Sequence, residues 1–254
     1  MEPQWRRLRY QYGDQIQCHY RMVGLIPNWE HFHDAVHSVS RPAQMAPLWL
    51  QISQSTGVPL DNRLWTEDPP MSSVPACLAV KAAQRQGAWA AEAVLRRLRE
   101  AAMLQRRNIA RLDVLVEIVE QAANDLPPDL PFDILLWTEA MRDKATGDAL
   151  RDDMQHVRYY GIDRFPAIQF QRAGERPILC VGHREFAALS EALRHIDPLV
   201  QPRRQMNLPD FTAYWGRLTH HEVAAALQVD LDACKHLVQE AAQRGELENV
   251  ELLC

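Results

Sequence analysis

The hydrophobic period of this sequence changes near residue 161. From about residue 48 to 160, apolar residues recur every three to four positions, which predicts a long block of helices. Residues 167–171 and 177–181 are then short apolar runs on either side of a glycine-containing turn, which predicts a β-hairpin. A helix over residues 184–196 is predicted next. We therefore expect an α/β protein in which a small sheet accompanies a large helical segment.

The start of the chain predicts a helix followed by a strand. Trp5, Leu8 and Tyr12 fall at helical spacing, and Gly13 is a typical helix stop. Residues 16–22 alternate between apolar and polar side chains, which predicts a strand. A strand this early in the chain needs neighbours, so we expect it to pair with other strands of the same sheet.

Composition excludes several classes of partner. The net charge of −5 gives no basic field of the kind that binds nucleic acid, so we expect no nucleic-acid partner. No segment approaches the roughly 20 apolar residues that cross a bilayer, so we expect no membrane partner. Five scattered cysteines without a C-x-x-C motif fit a reducing cytoplasm. Sequence motifs that bind nucleotides or that mark hydrolases are missing, so no cofactor is expected. These cysteines are Cys18, Cys77, Cys180, Cys234 and Cys254.

Five short motifs follow one another in a characteristic order. Together they resemble the DsbA-family thioredoxin-like proteins, and most of all the cytoplasmic FrnE-type branch. This resemblance implies an α/β thioredoxin-like fold with a large helical insertion and a small C-terminal helical appendage. The motifs are EPQWRRL at 2–8, YRMVGL at 20–25, SRPAQM at 40–45, DPPMSSVPA at 68–76 and GIDRFP at 161–166.

The resemblance also implies domain boundaries. Residues 1–40 and 161–197 would form a thioredoxin-like domain that is incomplete at its N-terminus. Residues 41–160 would be the helical insertion, and residues 198–254 a linker with a small helical tail. In that tail, Thr219 and Glu222 fit a capping box. Acidic residues outnumber basic ones there, which favours a packing or docking role over DNA binding.

Family members begin with a strand and a C-x-x-C motif that opens the first helix, whereas this chain begins downstream of that point. The redox cysteines are therefore expected upstream of Met1, and no catalytic residue is expected within the chain. The resemblance implies a thiol-disulfide oxidoreductase acting on protein or small-molecule disulfides, and the chain by itself would be inactive in that reaction. The alternative is a non-catalytic adaptor that binds a protein segment. A third hypothesis is a glutathione-dependent isomerase or transferase, with glutathione as partner.

The resemblance implies a substrate groove beside a cis-proline. We identify that proline as Pro166, with Arg164 and Phe165 beside the bound segment and Trp29 on a groove-side loop. An extended peptide or protein thiol substrate would add as a strand there. Cys77, near a predicted helix start, is an accessory thiol in one interpretation and a buried apolar residue in the other. Three histidines around residues 31–37 are interpreted as a solvated loop, so no metal site is expected.

Overall fold

The computed structural model describes residues 1–247 and 251–253. The chain divides into two compact units, one formed by Met1–Cys18 with Ile162–Cys254 and the other by His19–Gly161. We call them the sheet unit and the helical unit, and each contains a hydrophobic core of its own. Helices and strands follow in this order: α1 Glu2–Tyr12, α2 Met45–Thr56, α3 Leu64–Glu67, α4 Val74–Gln84, α5 Ala88–Met103, α6 Leu112–Asn124, α7 Ile134–Arg142, α8 Lys144–Tyr159, β1 Ala167–Phe170, β2 Ile178–Val181, α9 Phe186–Ile196, α10 Leu208–Trp215, β3 Arg217–Thr219, α11 His220–Leu227, α12 Leu231–Gln243 and β4 Glu251–Leu253.

The helical unit is built around α4, which packs against α5, α7 and α8. Small residues line this contact, because Ala79 and Ala83 of α4 and Ala90 of α5 are completely buried. They allow the helix backbones to approach closely. Trp137 of α7 fills the core, and its indole Nε1 donates a hydrogen bond to the Ala79 carbonyl oxygen at 3.0 Å. The helices predicted between residues 48 and 160 are confirmed.

The predicted strand over residues 16–22 is wrong. Its first residue, Ile16, is extended, with φ −126° and ψ 136°. Among the described strands, however, none pairs with this segment. The Met22 backbone N–H donates instead to the Asp153 carboxylate at 3.0 Å. An alternating pattern predicts an extended backbone, but a strand also needs a neighbouring backbone to bond with.

The sheet unit contains the predicted hairpin, which is confirmed. Strands β1 and β2 pair antiparallel, with Ala167 opposite Val181 and Phe170 opposite Ile178. Gly174 lies in the turn with φ +83°, a conformation that side chains disfavour. Helices α1 and α9 share a core with this hairpin. The buried Tyr12 hydroxyl there lies 2.8 Å from Ser190 Oγ, within hydrogen-bond distance.

The C-terminal part of the sheet unit has a second small sheet, in which β3 and β4 run parallel. Helices α10, α11 and α12 surround a core that includes Tyr10 of α1 and Phe211 of α10. The predicted capping box is confirmed, because Glu222 N donates to Thr219 Oγ1 and Thr219 N donates to the Glu222 carboxylate. The division into segments 1–40 with 161–197, 41–160 and 198–254 stays a prediction.

Candidate functional site

The loop before β1 carries three of the predicted site residues. Arg164, Phe165 and Pro166 are consecutive and exposed, and the Phe165–Pro166 peptide bond is cis. Phe165 leaves 37 % of its surface in solvent. The structure thus brings a cation, an aromatic ring and a proline together at the entrance of the hairpin.

Hydrogen bonding in the hairpin defines which edge of β1 faces outward. The Pro166 carbonyl oxygen accepts a hydrogen bond from Gly182 N at 2.9 Å. Bonding alternates along an antiparallel pair, so the next bonded pair is Ile168 with Cys180. The N–H and C=O of Ala167 therefore point to the edge of β1 opposite β2. An extended segment of another protein can add at an edge of this kind.

Trp29, the fourth predicted site residue, belongs to the helical unit. Its indole Nε1 donates to the Pro70 carbonyl oxygen at 3.0 Å. Its ring makes edge contacts with Phe32 at 5.2 Å and Trp65 at 6.1 Å between centroids. Trp29 is therefore a half-buried member of an aromatic cluster, with Phe32 on one side and Trp65 on the other. Its membership of the same binding site as Phe165 stays a prediction.

Cys77 lies early in α4, where its backbone N–H donates to the Ser73 carbonyl oxygen at 3.1 Å. Burial raises the pKa of the Cys77 thiol, and backbone hydrogen bonds from Gly24 and Val23 offset only part of that effect. Asp153 raises the pKa of this thiol further. Such surroundings are those of a small buried apolar residue rather than of an activated nucleophile.

The other described cysteines offer no redox pair. Cys77, Cys180 and Cys234 are free thiols. Burial raises the pKa of both Cys180 and Cys234, and the Cys234 thiol donates to the His220 carbonyl oxygen at 3.4 Å. Cys254 lies outside the described residues. A raised pKa leaves less of the thiolate that attacks disulfides.

The histidine loop is organised by short local hydrogen bonds. The ring of His31 lies 2.8 Å from Asn28 Oδ1, and the ring of His37 lies 2.7 Å from Asp34 Oδ2. The contact with His37 lowers the pKa of Asp34. Within residues 1–247 and 251–253, no group of three histidine, cysteine or acidic side chains converges on a common point.

A buried charge cluster in the helical unit has no sequence signature. Asp153 of α8 accepts from Lys81 Nζ at 2.9 Å and from Arg21 Nη1 at 2.8 Å. Together with the bond from Met22 N, these contacts hold the extended segment against α4 and α8. The partners are scattered along the chain, and acidic and basic residues at this spacing are common in any sequence. Only the packing of the helices brings them together.

None of the described helices is both long and apolar enough to cross a membrane.

Comparison with known proteins places these features in a family. The thioredoxin family model matches residues 1–177. The ClpXP adapter protein SpxH of Halalkalibacterium halodurans is 26 % identical over 255 residues, which cover 99 % of this chain and 80 % of that protein. Proteins of the same name from Shouchella clausii and Bacillus subtilis are each 24 % identical, over 98 % and 82 % of this chain and 80 % and 68 % of theirs.

A solved structure from Nitrosomonas europaea, provisionally named a protein disulfide isomerase, is similar with a TM-score of 0.49 and 20 % identity. The similarity covers 61 % of this chain and 70 % of that one. The match to the thioredoxin family model extends from the first helix through the hairpin turn and so spans more than half of the chain. The chain therefore belongs to the thioredoxin family and has a thioredoxin-like fold that is mostly helical with little sheet.

Proposed function

We propose that this chain is a non-catalytic thioredoxin-fold adapter that binds a segment of a partner protein. One observation carries the proposal: 99 % of the chain aligns with a relative named as a ClpXP adapter protein. Two further relatives bear the same name. By extension, the adapter would serve a protease of the ClpXP type.

Three described thiols do not have the surroundings of nucleophiles in disulfide exchange. Cys77, Cys180 and Cys234 each have a raised pKa caused mainly by burial. Disulfide exchange requires a thiolate, which an exposed and electropositive site stabilises. These cysteines have the opposite surroundings, so we assign them to packing.

The proposed binding surface is the cis-proline loop with the outward edge of β1. Phe165 offers an exposed aromatic ring, a side chain of the type that anchors protein interfaces. Ala167 offers backbone groups to an extended segment, and the Arg164 guanidinium offers a charge to an acidic residue of that segment.

A thiol-disulfide oxidoreductase is the second candidate, and the match to the thioredoxin family model favours it. In that function, Pro166 would orient the substrate strand. The glutathione-dependent hypothesis receives no support from the names of the relatives. For both remaining candidate functions we propose that the protein is located in the cytoplasm, because free thiols persist in reducing compartments.

The test compares protein turnover in the host of this protein with and without its gene. After translation is stopped, mass spectrometry follows the half-life of each cellular protein. An adapter should leave at least one protein longer-lived in the deletion strain, and the same protein should be stabilised when the ClpXP protease is removed. Unchanged half-lives throughout the proteome would overturn the proposal.

Three variants reintroduced into the deletion strain test whether the thiols of this chain are needed and whether Phe165 belongs to the binding surface. A variant with all five cysteines replaced by alanine should restore turnover if the function is that of an adapter. If the protein were an oxidoreductase that uses these thiols, this variant would not restore turnover. The Phe165→Ala variant should fail to restore turnover, while Leu199→Ala, which changes another exposed apolar residue of the same unit, should restore it. Thermal unfolding of the purified variants controls for loss of fold.

A further inference from the structure

A second concave surface lies in the sheet unit, beside α10. Its volume is about 610 Å³, within the range of roughly 300–1,000 Å³ that is typical of small-ligand pockets. It shares no residue with the cis-proline loop. Its lining includes Tyr10, Arg204, Asn207, Asp210, Ala213 and Tyr214.

The guanidinium of Arg204 is the central polar group of this pocket. Its carbon Cζ lies 4.8 Å from the ring centroid of Tyr214 and 5.6 Å from that of Tyr10. The Nη2 atom contacts the exposed Asp14 carboxylate only at 3.3 and 3.4 Å, which is long for an ionic hydrogen bond. The Nη1 atom is buried and has no hydrogen-bond partner within the described part of the chain. Arg204 thus retains capacity to bind an anion.

The polar side chains of Asn207 and Asp210, at the start of α10, hydrogen-bond to each other. Asn207 Oδ1 accepts from Asp210 N at 2.9 Å, and Asn207 Nδ2 donates to Asp210 Oδ2 at 2.7 Å. The Asp210 carboxylate therefore accepts a hydrogen bond from a neutral amide and keeps its negative charge. Of these three side chains, Arg204 has the most donors left for a ligand, and Asn207 Nδ2 keeps one further N–H beyond its bond to Asp210.

The remaining walls are aromatic. The rings of Tyr10 and Tyr214 lie 5.5 Å apart between centroids and meet at 76°. Burial, followed by the charge of Asp210, raises the pKa of Tyr10, so its phenol stays protonated at neutral pH. The Tyr10 hydroxyl donates weakly to the Gln205 carbonyl oxygen at 3.4 Å. Tyr10 is only 3 % exposed, whereas Tyr214 is 41 % exposed and offers a ring on which another ring can pack.

We propose that this pocket binds an aromatic carboxylate. The carboxylate would receive two hydrogen bonds from Arg204 in place of the long contact with Asp14. The aromatic body would lie against Tyr214 and the methyl group of Ala213. This inference goes beyond the adapter function and concerns different residues. The ligand is either a free aromatic acid or the C-terminal residue of a partner protein, because both present the same chemistry.

The experiment follows amide and Arg Nε–H resonances of the full chain by two-dimensional NMR, at constant ionic strength. The probe is N-acetyl-tyrosine, which has a ring and a carboxylate. N-acetyl-tyrosinamide lacks the charge, and acetate lacks the ring. We expect saturable shifts at Ala213, Tyr214 and Arg204 with the first probe, and at least about tenfold weaker binding of the other two.

Variants locate the site. Arg204→Ala should weaken binding of N-acetyl-tyrosine by about tenfold or more. Arg203→Ala removes the same charge from an exposed neighbour that does not line the pocket, and it should bind as the wild type does. Asp210→Asn removes a negative charge facing the ligand and should tighten binding. The spectrum without ligand shows whether each variant is folded.

A tyrosine-ended peptide with a free carboxylate distinguishes the two sources. Tighter binding of the peptide than of N-acetyl-tyrosine assigns the pocket to protein chain ends, and weaker binding assigns it to free acids. The proposal is overturned if N-acetyl-tyrosine causes no saturable shift, if the uncharged amide binds equally well, or if Arg203→Ala weakens binding as much as Arg204→Ala does. None of these results depends on the protease or on protein turnover.

Discussion

The Nζ atom of Lys81 lies 2.9 Å from Oδ2 of Asp153, and the two side chains are only 8 % and 3 % exposed. Few charged side chains are buried to this extent unless they are paired. Here the pair joins α4 to α8, and the second carboxylate oxygen binds Arg21. The core of the helical unit therefore depends on a pairing that only the tertiary structure creates.

Replacing Asp153 with alanine should destabilise the protein by about 3–5 kcal/mol, because Lys81 would be left as an unpaired buried charge. Urea unfolding monitored by circular dichroism measures the change. Arg21→Ala is the matched control, since its side chain is 44 % exposed and its loss should cost about 1 kcal/mol or less. Equal effects of the two substitutions would contradict this account of the pair.

The stability of the protein should depend on both the ring nitrogen and the volume of the Trp137 side chain. Trp137→Phe removes the hydrogen bond to Ala79 and should cost about 1–3 kcal/mol, whereas Trp137→Ala should cost about 3–5 kcal/mol. Denaturant unfolding checks both values. Leu135→Ala in the same helix changes a side chain that is 76 % exposed and should stay within about 0.5 kcal/mol of the wild type. A Trp137→Phe variant as stable as the wild type would show that the indole bond contributes nothing.

The thiols of Cys77, Cys180 and Cys234 should react slowly with an alkylating reagent. Because the folded pKa of Cys77, Cys180 and Cys234 is raised, alkylation by iodoacetamide should be slower in the native protein than in urea at the same pH. Peptide mass spectrometry after timed quenching gives the rate for each cysteine. The folded state holds these protons more tightly than the unfolded state does, so stability should fall as pH rises above the ordinary thiol value of about 8.5. A native rate at Cys77 that exceeds the unfolded rate would indicate an activated thiol instead.

Protonation of Asp61 should contribute to the loss of protein stability at low pH. Hydrogen bonds from Arg63, and then from Arg106, lower the pKa of this carboxyl group from 3.8 to about 2. The unfolded state therefore binds the proton first, so the stabilisation is complete above about pH 4 and is lost as pH falls through about pH 2. Across this range, the free energy of unfolding should fall less steeply with decreasing pH for Asp61→Asn than for the wild type. The same pH dependence of stability in the variant and the wild type would mean that these contacts do not persist in solution.

Local patterns in the sequence predict much of this architecture. Helical spacing predicts α5 and α6, and the glycine-containing turn between two apolar runs predicts the hairpin of β1 and β2. The capping box at Thr219 is likewise a matter of residues three apart. These features follow from neighbours in the chain, whose geometry is nearly the same in any fold.

The errors and omissions all concern contacts between distant residues. An alternating pattern over residues 16–22 predicts a strand, yet the backbone there bonds to a carboxylate of α8. The parallel pairing of β3 with β4 and the aromatic pocket around Arg204 also have no local signature. Each depends on which surfaces meet after the helices have packed.

By itself, the sequence determined the helical block, the hairpin, the exposed residues of the cis-proline loop and the resemblance to a thioredoxin-like family, because periodicity, turn residues and short motifs act over a few positions. The tertiary structure alone decided that Asp153 joins Lys81 and Arg21, that burial raises the pKa of Cys77, and that Arg204 lies over two tyrosine rings. The physical reason is that burial and charge pairing depend on distances through space, which chain spacing does not determine.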